Sequence, residues 1–407
     1  MKTPVLGGNN TGASTSATNY GGFRSSFVAT NDQNVRGVSS ISGSFEGLYV
    51  SLATAPDTGA GTQQYTYTLQ KNGSDTSITC VISEASTSCS DTTHTVSIAA
   101  GDNYSLKIVP SGTPATSNIR YGTIFNSGSG GGSLLYSSAN SSSAQTGSNE
   151  TIALQGNLGW GQSNTNTLVP TAGTVSSLYV LAKAAPGSAA SGKQYVYTIQ
   201  KNNVDTSVTC TMFETATTCN DTSNSFTVAA GDSLRLKSAP TSTPASGTQV
   251  IGLKFTPTVD GESIYSQSYQ AAHSNTVDTF FPIDGYGNQS TTESSAMILI
   301  APNSSVVAKK IYAANGNQPG ASKSVINTLR VNGVSSALTC TRTGASGATS
   351  CTDTTHSVSL AAGDVIEVLH SPVNSPSIGS STQLAYVLFI DPNDKLYAGT
   401  FYDSTIN

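Results

Sequence analysis

One segment recurs three times along this chain, and it decides what the rest can be. Its first copy reads Tyr-Thr-Leu-Gln-Lys-Asn-Gly-Ser-Asp-Thr-Ser-Ile-Thr-Cys up to Cys80, then continues through Cys89 to Ala-Ala-Gly-Asp at Asp102. The second copy passes through Lys201, Asn202, Cys210, Cys219 and Asp232, the third through Val331, Asn332, Cys340, Cys351 and Asp364. Cys80, Cys210 and Cys340 fall 130 residues apart, well beyond the roughly 20–50 residues of a solenoid turn. The repeating object is a domain, and 407 residues hold three of them.

Within each copy, short runs alternate apolar and polar residues with a period of two, as half-buried strands do. Leu48-Tyr-Val-Ser-Leu52, Tyr65-Thr-Tyr-Thr-Leu69 and Ile78-Thr-Cys-Val-Ile82 are examples from the first, Tyr195-Val-Tyr-Thr-Ile199 and Leu234-Arg-Leu236 from the second, Val358-Ser-Leu360 and Ile366-Glu-Val368 from the third. Turn residues separate them, with Lys71-Asn72-Gly73 the strongest hairpin signal because both central residues tolerate positive φ. No window carries a sustained helical stripe. The expected fold is all-β, three tandem antiparallel β-sandwich or jelly-roll domains.

The expected boundaries are a flexible or partner-ordered arm over 1–22, where Gly, Asn, Ser and Thr leave little to bury, sandwich repeats over 23–128, 129–257 and 258–391, and a tail strand over 392–407. The glycine-rich run Asn126–Ser133 and the polar stretch Thr256–Asp260 read as hinges.

Around the Gly-Asp step, Val96 to Leu106, Thr227 to Leu236 and Ser359 to Val368 resemble the late hairpin of jelly rolls similar to the tumour-necrosis-factor and complement first-component head groups, which occur on bacterial surface fibres and phage appendages. The resemblance covers all three repeats. It implies a fold and a surface setting, not an activity.

Asp, Glu, Lys and Arg make up 10% of the chain, against about 25% in ordinary soluble proteins. A formal net charge of −5 offers no basic stripe to displace counterions from a phosphate backbone, so nucleic acid is not an expected partner. No apolar run approaches the roughly 18 residues needed to span a bilayer, so membrane insertion is not expected. Residues 1–20 lack the apolar core of a secretion signal, leaving the export route open.

The cysteines fall as one pair per repeat, Cys80/Cys89, Cys210/Cys219 and Cys340/Cys351. With no C-x-x-C and few histidines the pairs favour disulfides over free thiols or metal, and hence an oxidising exterior. Each bridge would close a short loop and add roughly 2–3 kcal/mol.

Asp-Thr-Thr-His at Asp91 and Asp353 invites a catalytic or metal reading of His94 and His356, but the second repeat has Asn224 in the His position, so a local hydrogen-bonding turn around the Asp is preferred. Asp102, Asp232 and Asp364 supply one carboxylate per site, too few for calcium, and read as turn-forming residues. Gly128-Ser-Gly130 is not a nucleophile elbow, and no acid pair suits glycoside hydrolysis. No enzyme and no cofactor are therefore expected. Tyr65, Tyr67, Tyr195 and Tyr197 alternate as core residues rather than as a sugar platform. Asn72-Gly-Ser74, Asn149-Glu-Thr151 and Asn303-Ser-Ser305 are sequons that a glycosylating host would be able to use.

These readings converge on a structural protomer of an extracellular filament, pilus-like fibre or virion appendage, with copies of itself as partner. The alternative is an adhesin that holds glycans or surfaces through repeated loops. A hydrophobic-Tyr pair follows each repeat: Leu135-Tyr136, Ile264-Tyr265 and Leu396-Tyr397. If the pair opens the following domain, the tail from Lys395 to Asn407, carrying Leu396, Tyr397, Phe401 and Tyr402, is an orphan strand. Val5-Leu6-Gly7 would be its degraded counterpart, and the tail of one protomer would then complete the first repeat of the next by strand exchange. The competing expectation is a fold-back through Asp391-Pro-Asn-Asp394.

Overall fold

The structure, a computed structural model, describes residues 2–390 apart from isolated positions and short stretches within 10–11, 24–27, 60, 129–130, 139–145, 156–165, 270–273, 282–289, 294–298, 302–305, 345–347, 361–363 and 379–381. Three β-sandwiches follow one another, and no α-helix occurs among the described residues. Unit 1 runs β1 (Lys2–Asn9), β2 (Asn19–Gly21), β3 (Val28–Ala29), β4 (Gly37–Val38), β5 (Gly43–Leu52), β6 (Gln64–Lys71), β7 (Ser74–Ser83), β8 (Ser88–Ile98), β9 (Asn103–Ser111) and β10 (Ile119–Asn126). Unit 2 runs β11 (Ser133–Ser138), β12 (Glu150–Ala153), β13 (Thr167–Leu168), β14 (Gly173–Ala182), β15 (Gln194–Lys201), β16 (Val204–Phe213), β17 (Thr218–Val228), β18 (Ser233–Thr241) and β19 (Gln249–Pro257). Unit 3 runs β20 (Glu262–Tyr269), β21 (Thr279–Phe281), β22 (Leu299–Ala301), β23 (Val306–Asn315), β24 (Ser324–Val331), β25 (Val334–Thr343), β26 (Ser350–Leu360), β27 (Asp364–Val373) and β28 (Thr382–Ile390).

The strand order identifies each unit as a jelly roll. In unit 1 one sheet is β1-β10-β5-β8 and the other contains β2-β9-β6-β7, so the first strand pairs with the last, the second with the last but one, and so inward. Units 2 and 3 repeat this as β11-β19-β14-β17 with β12-β18-β15-β16, and β20-β28-β23-β26 with β21-β27-β24-β25. The alternation seen in the sequence becomes the core: Phe45, Leu48, Val50, Tyr65, Tyr67, Leu69 and Ile78 all lie at 0% exposure between the sheets of unit 1. One irregularity recurs. β5, β14 and β23 each carry a bulge, and the extra residue holds positive φ in all three: Gly47 (65°), Ser177 (54°) and Lys310 (61°).

The N-terminal stretch corrects the expected arm. Lys2–Asn9 is the first strand of unit 1, antiparallel to β10 from Lys2↔Asn126 to Asn9↔Ile119, and Asn19–Gly21 pairs with β9. Its glycines are packing residues: a Cβ on Gly7 would fall 2.4 Å from the Tyr121 ring, and one on Gly21 would fall 2.3 Å from its hydroxyl. Unit 1 therefore does not begin at Phe23, and Val5, fully buried, is no degraded strand leaving a vacant slot. The pairs further on do open the following domain, Leu135 within β11 and Ile264 within β20. Leu396, Tyr397, Phe401 and Tyr402 lie outside the described residues.

Candidate functional site at the unit junctions

The cysteines pair within each unit, Cys80–Cys89, Cys210–Cys219 and Cys340–Cys351, with Cα atoms 5.8, 5.7 and 5.6 Å apart. Cys80 is on β7 and Cys89 on β8, edge strands of opposite sheets. Each bridge thus staples the two layers of a sandwich at one corner.

The Asp-Thr-Thr-His motif is a backbone-holding device set in a strand. Asp91 in β8 accepts from the Thr93 and His94 N–H groups at 3.1 and 3.2 Å and from Thr79 N–H on β7 at 3.1 Å, while the His94 ring lies 2.8 Å from the carboxylate. Burial opposes the charge on Asp91, yet these bonds hold its carboxyl at about 2. Asp221 does the same work with Asn224, and Asp353 with His356.

The Gly-Asp step has a partner that the spacing did not disclose. Asp102 accepts the Ala99 N–H at 2.8 Å and the Asn72 side-chain amide at 2.7 Å, while Asn72 Oδ1 accepts the Asn103 N–H at 2.9 Å. Asn202 with Asp232 and Asn332 with Asp364 repeat the clamp at 2.7 Å. The two most repetitive pieces of sequence are thus halves of one loop pair.

That loop pair sits where one unit meets the next. Gly101 (φ +90°) lies against Tyr179 of unit 2, so that a Cβ there would be 3.5 Å from the ring. Gly231 (φ +93°) lies against Tyr312 of unit 3 in the same way, 2.8 Å from the hydroxyl. Beside these loops the short strands β4 and β13 reach across. A Cβ on Gly252 would fall 2.5 Å from the Val38 carbonyl oxygen, and the Leu168 N–H donates to Ser266 Oγ at 3.2 Å. Leu134 packs into the core cluster of unit 1 and Ile264 into that of unit 2, each reaching back to the preceding unit. Tyr49, Tyr179 and Tyr312, the residues that mark this face, were not singled out in the sequence; their recurrence at one place in each copy was the available signal.

The second junction adds charge to the shared frame. Glu262, fully buried, takes Lys309 Nζ and Lys310 Nζ at 2.7 Å each and the Thr171 hydroxyl of unit 2. Burial raises the Glu262 carboxyl but these donors outweigh it and keep it below its ordinary value. Lys310 also donates to Thr171 at 3.2 Å, so a bulge residue of unit 3 holds unit 2.

Tyr65, Tyr67, Tyr195 and Tyr197 are core residues, exposed by 2% or less. In unit 3 the register puts Asn327 in the place of Tyr67 and Arg342 in the place of Ile82. Arg342 is 1% exposed, with one long bond from Nη1 to the Asn317 carbonyl at 3.5 Å. Its charge adds to the burial that lowers His370 to about 3. Nearby Glu367 is buried and pushed up to about 9, first by desolvation and then by Glu293, which is itself held down first by its hydrogen bond with Glu367 and then by Arg330. Among the described residues no group of three His, Cys, Asp or Glu has metal-binding proximity, and no helix is long and apolar enough to cross a membrane.

No family model matches the sequence, and no curated protein does. Among solved structures the chain is similar to one described as "The Triple Jelly Roll Fold and Turret Assembly in an Archaeal Virus", at 10% identity over 91% of this chain and 83% of that one, with a TM-score of 0.17. A likeness of that size carries no argument, and the jelly-roll assignment stands on strand order.

Proposed function

We propose that this chain is a structural subunit of an extracellular filament, surface fibre or virion appendage, working without catalysis and with further copies of itself as its partner. The observation that carries the reading is what the three copies hold in common. The cysteines, the Asp91, Asp221 and Asp353 bond sets and the Asn-Asp clamps staple each sandwich, and Tyr179 and Tyr312, which share a register position with Tyr49, meet the preceding unit. Three disulfides suit an oxidising exterior, and the weakly charged, hydroxyl-rich surface offers little to nucleic acid. The setting on surface fibres or appendages agrees with the resemblance of the late hairpins to head-group jelly rolls.

Exchange of the tail Lys395–Asn407 enters this reading only as displacement of β1, since the first slot of unit 1 is already filled. Negative-stain microscopy of the purified chain over rising concentration tests the role, with ordered filaments or closed particles expected. A chain that stays monodisperse, while binding one sugar saturably on a glycan array, would replace this reading with the adhesin. Deleting Lys395–Asn407 tests the exchange separately, because assembly that survives the deletion removes it.

A further inference from the structure

Two junctions inside the chain are built alike, and each has a donor and an acceptor. The donor side of unit 1 is Val38, held beside Asn103 by strand pairing, together with Gly101; the donor side of unit 2 is Leu168, held beside Ser233, together with Gly231. The acceptor side of unit 2 is the cross-strand pair Tyr179↔Gly252 with Leu134, and that of unit 3 is Tyr312↔Ala385 with Ile264.

Unit 3 has the donor strand as well. β22 pairs with β27 and places Ile300 beside Val365, the register position of Val38 and Leu168. Unit 1 has the acceptor pair, Tyr49↔Gly122, and next to it Pro4↔Ile124 stands where Leu134↔Lys254 and Ile264↔Val387 stand. A repeated heterologous contact either closes into a ring or propagates as an open array, according to the rotation between units.

Ile124 distinguishes these cases. Its neighbour Phe125 faces the interior of unit 1 and packs on Phe45, so alternation turns Ile124 to the outer face of that sheet. On that face Ile124 is nevertheless 0% exposed, and it belongs to the hydrophobic cluster of unit 3, with Tyr265, Phe281 and Ile311. We infer that unit 3 docks on unit 1 through the same kind of junction, with β22 on the face around Tyr49, so that one chain closes as a ring of three jelly rolls with approximate threefold symmetry. The partner of the unit 1 acceptor face is the third unit of the same chain.

The inference stands apart from the structural role, since a closed ring and an open row would each be able to build a larger assembly through other faces. It is tested in the full chain with the native disulfides intact. The double variant Tyr49→Cys with Ile300→Cys is treated with a short bis-maleimide, and Val38→Cys with Tyr179→Cys reports the first junction in the same assay. The ring requires both pairs to cross-link at monomer mass, with a peptide bridging units 1 and 3 found by mass spectrometry. Small-angle scattering should give a radius of gyration close to the about 22 Å of a compact chain of this length. The ring is overturned if the first-junction pair cross-links while the Tyr49/Ile300 pair stays unreacted, or joins only separate chains. Filaments seen by microscopy together with that result would remove the ring and leave the structural role intact.

Discussion

Asn72 donates its side-chain amide to Asp102 Oδ1 at 2.7 Å, tying the turn after β6 to the loop before β9. Asn72 also holds positive φ, 51°, so its side chain and its backbone contribute separately. Asn72→Gly should lose only the clamp bonds, at about 1 kcal/mol. Asn72→Ala should cost roughly a further 1 kcal/mol, because an L side chain strains the left-handed region. Urea denaturation of the two variants checks this. Equal losses would mean that the backbone at this turn relaxes.

Asp91 gives unit 1 an acid-labile point. Its folded carboxyl is at about 2, below the ordinary 3.8, so its stabilisation is present above about pH 4 and lost as pH falls through 2. Asp91→Asn should be less stable at neutral pH and show a shallower loss of melting temperature between pH 4 and 2. A parallel acid limb in the variant and the parent would remove Asp91 as the cause.

Unit 3 should respond to pH from both sides. Glu367 is raised from 4.5 to about 9, so its contribution is full below pH 4.5 and fades as pH rises toward 9. His370 is lowered from 6.5 to about 3, so its contribution is full above pH 6.5 and fades as pH falls toward 3. Unit 3 is expected to melt first at alkaline pH, and Glu367→Gln should flatten that limb while leaving the acid limb in place. Calorimetry across pH 4 to 9 reads both limbs.

Arg342 occupies a core position that Met212 fills in unit 2, each lying across the hairpin from Val325 or Tyr195. A buried charge with so little bonding is costly, and replacing such a group by an apolar one of similar size often stabilises by about 1–4 kcal/mol. Arg342→Met should therefore raise the melting temperature of unit 3. A fall would show that the Asn317 contact and the neighbouring His370 depend on the charge.

The staple of unit 2 tests how far the units act alone. Cys210→Ser with Cys219→Ser should destabilise that unit by roughly 2–3 kcal/mol and split off a lower transition. A single shifted transition for the whole chain would mean that the junctions bind the three sandwiches into one cooperative body.

The sandwiches were legible because two-residue alternation is a local signal, and Tyr65, Tyr67, Leu69 and Ile78 carry it without help from elsewhere. β1 was not legible. Lys2–Asn9 has Gly7 where a strand would show a branched residue, and the reason is Tyr121, more than 100 residues away, whose ring needs the space. The half-buried Tyr49, Tyr179 and Tyr312 look like ordinary outward-facing strand residues, since what covers the last two belongs to another unit. Loop pairing was hidden for a related cause: Asn72 and Asp102 are each explained by their own turn, and the bond between them exists only once the sheets are stacked.

The way each unit is threaded has a mechanical consequence. The chain enters unit 1 at Lys2 and leaves at Asn126, and these residues are direct cross-strand partners; Glu262 and Phe389 stand in the same relation in unit 3. Tension along the backbone would therefore peel the outer strand from its neighbour one rung at a time, the weak direction of a sheet, while the disulfides on the far edges carry none of the load. A fibre made from this chain must route tensile force sideways, through lateral contacts between sandwiches, if it is to hold without unravelling.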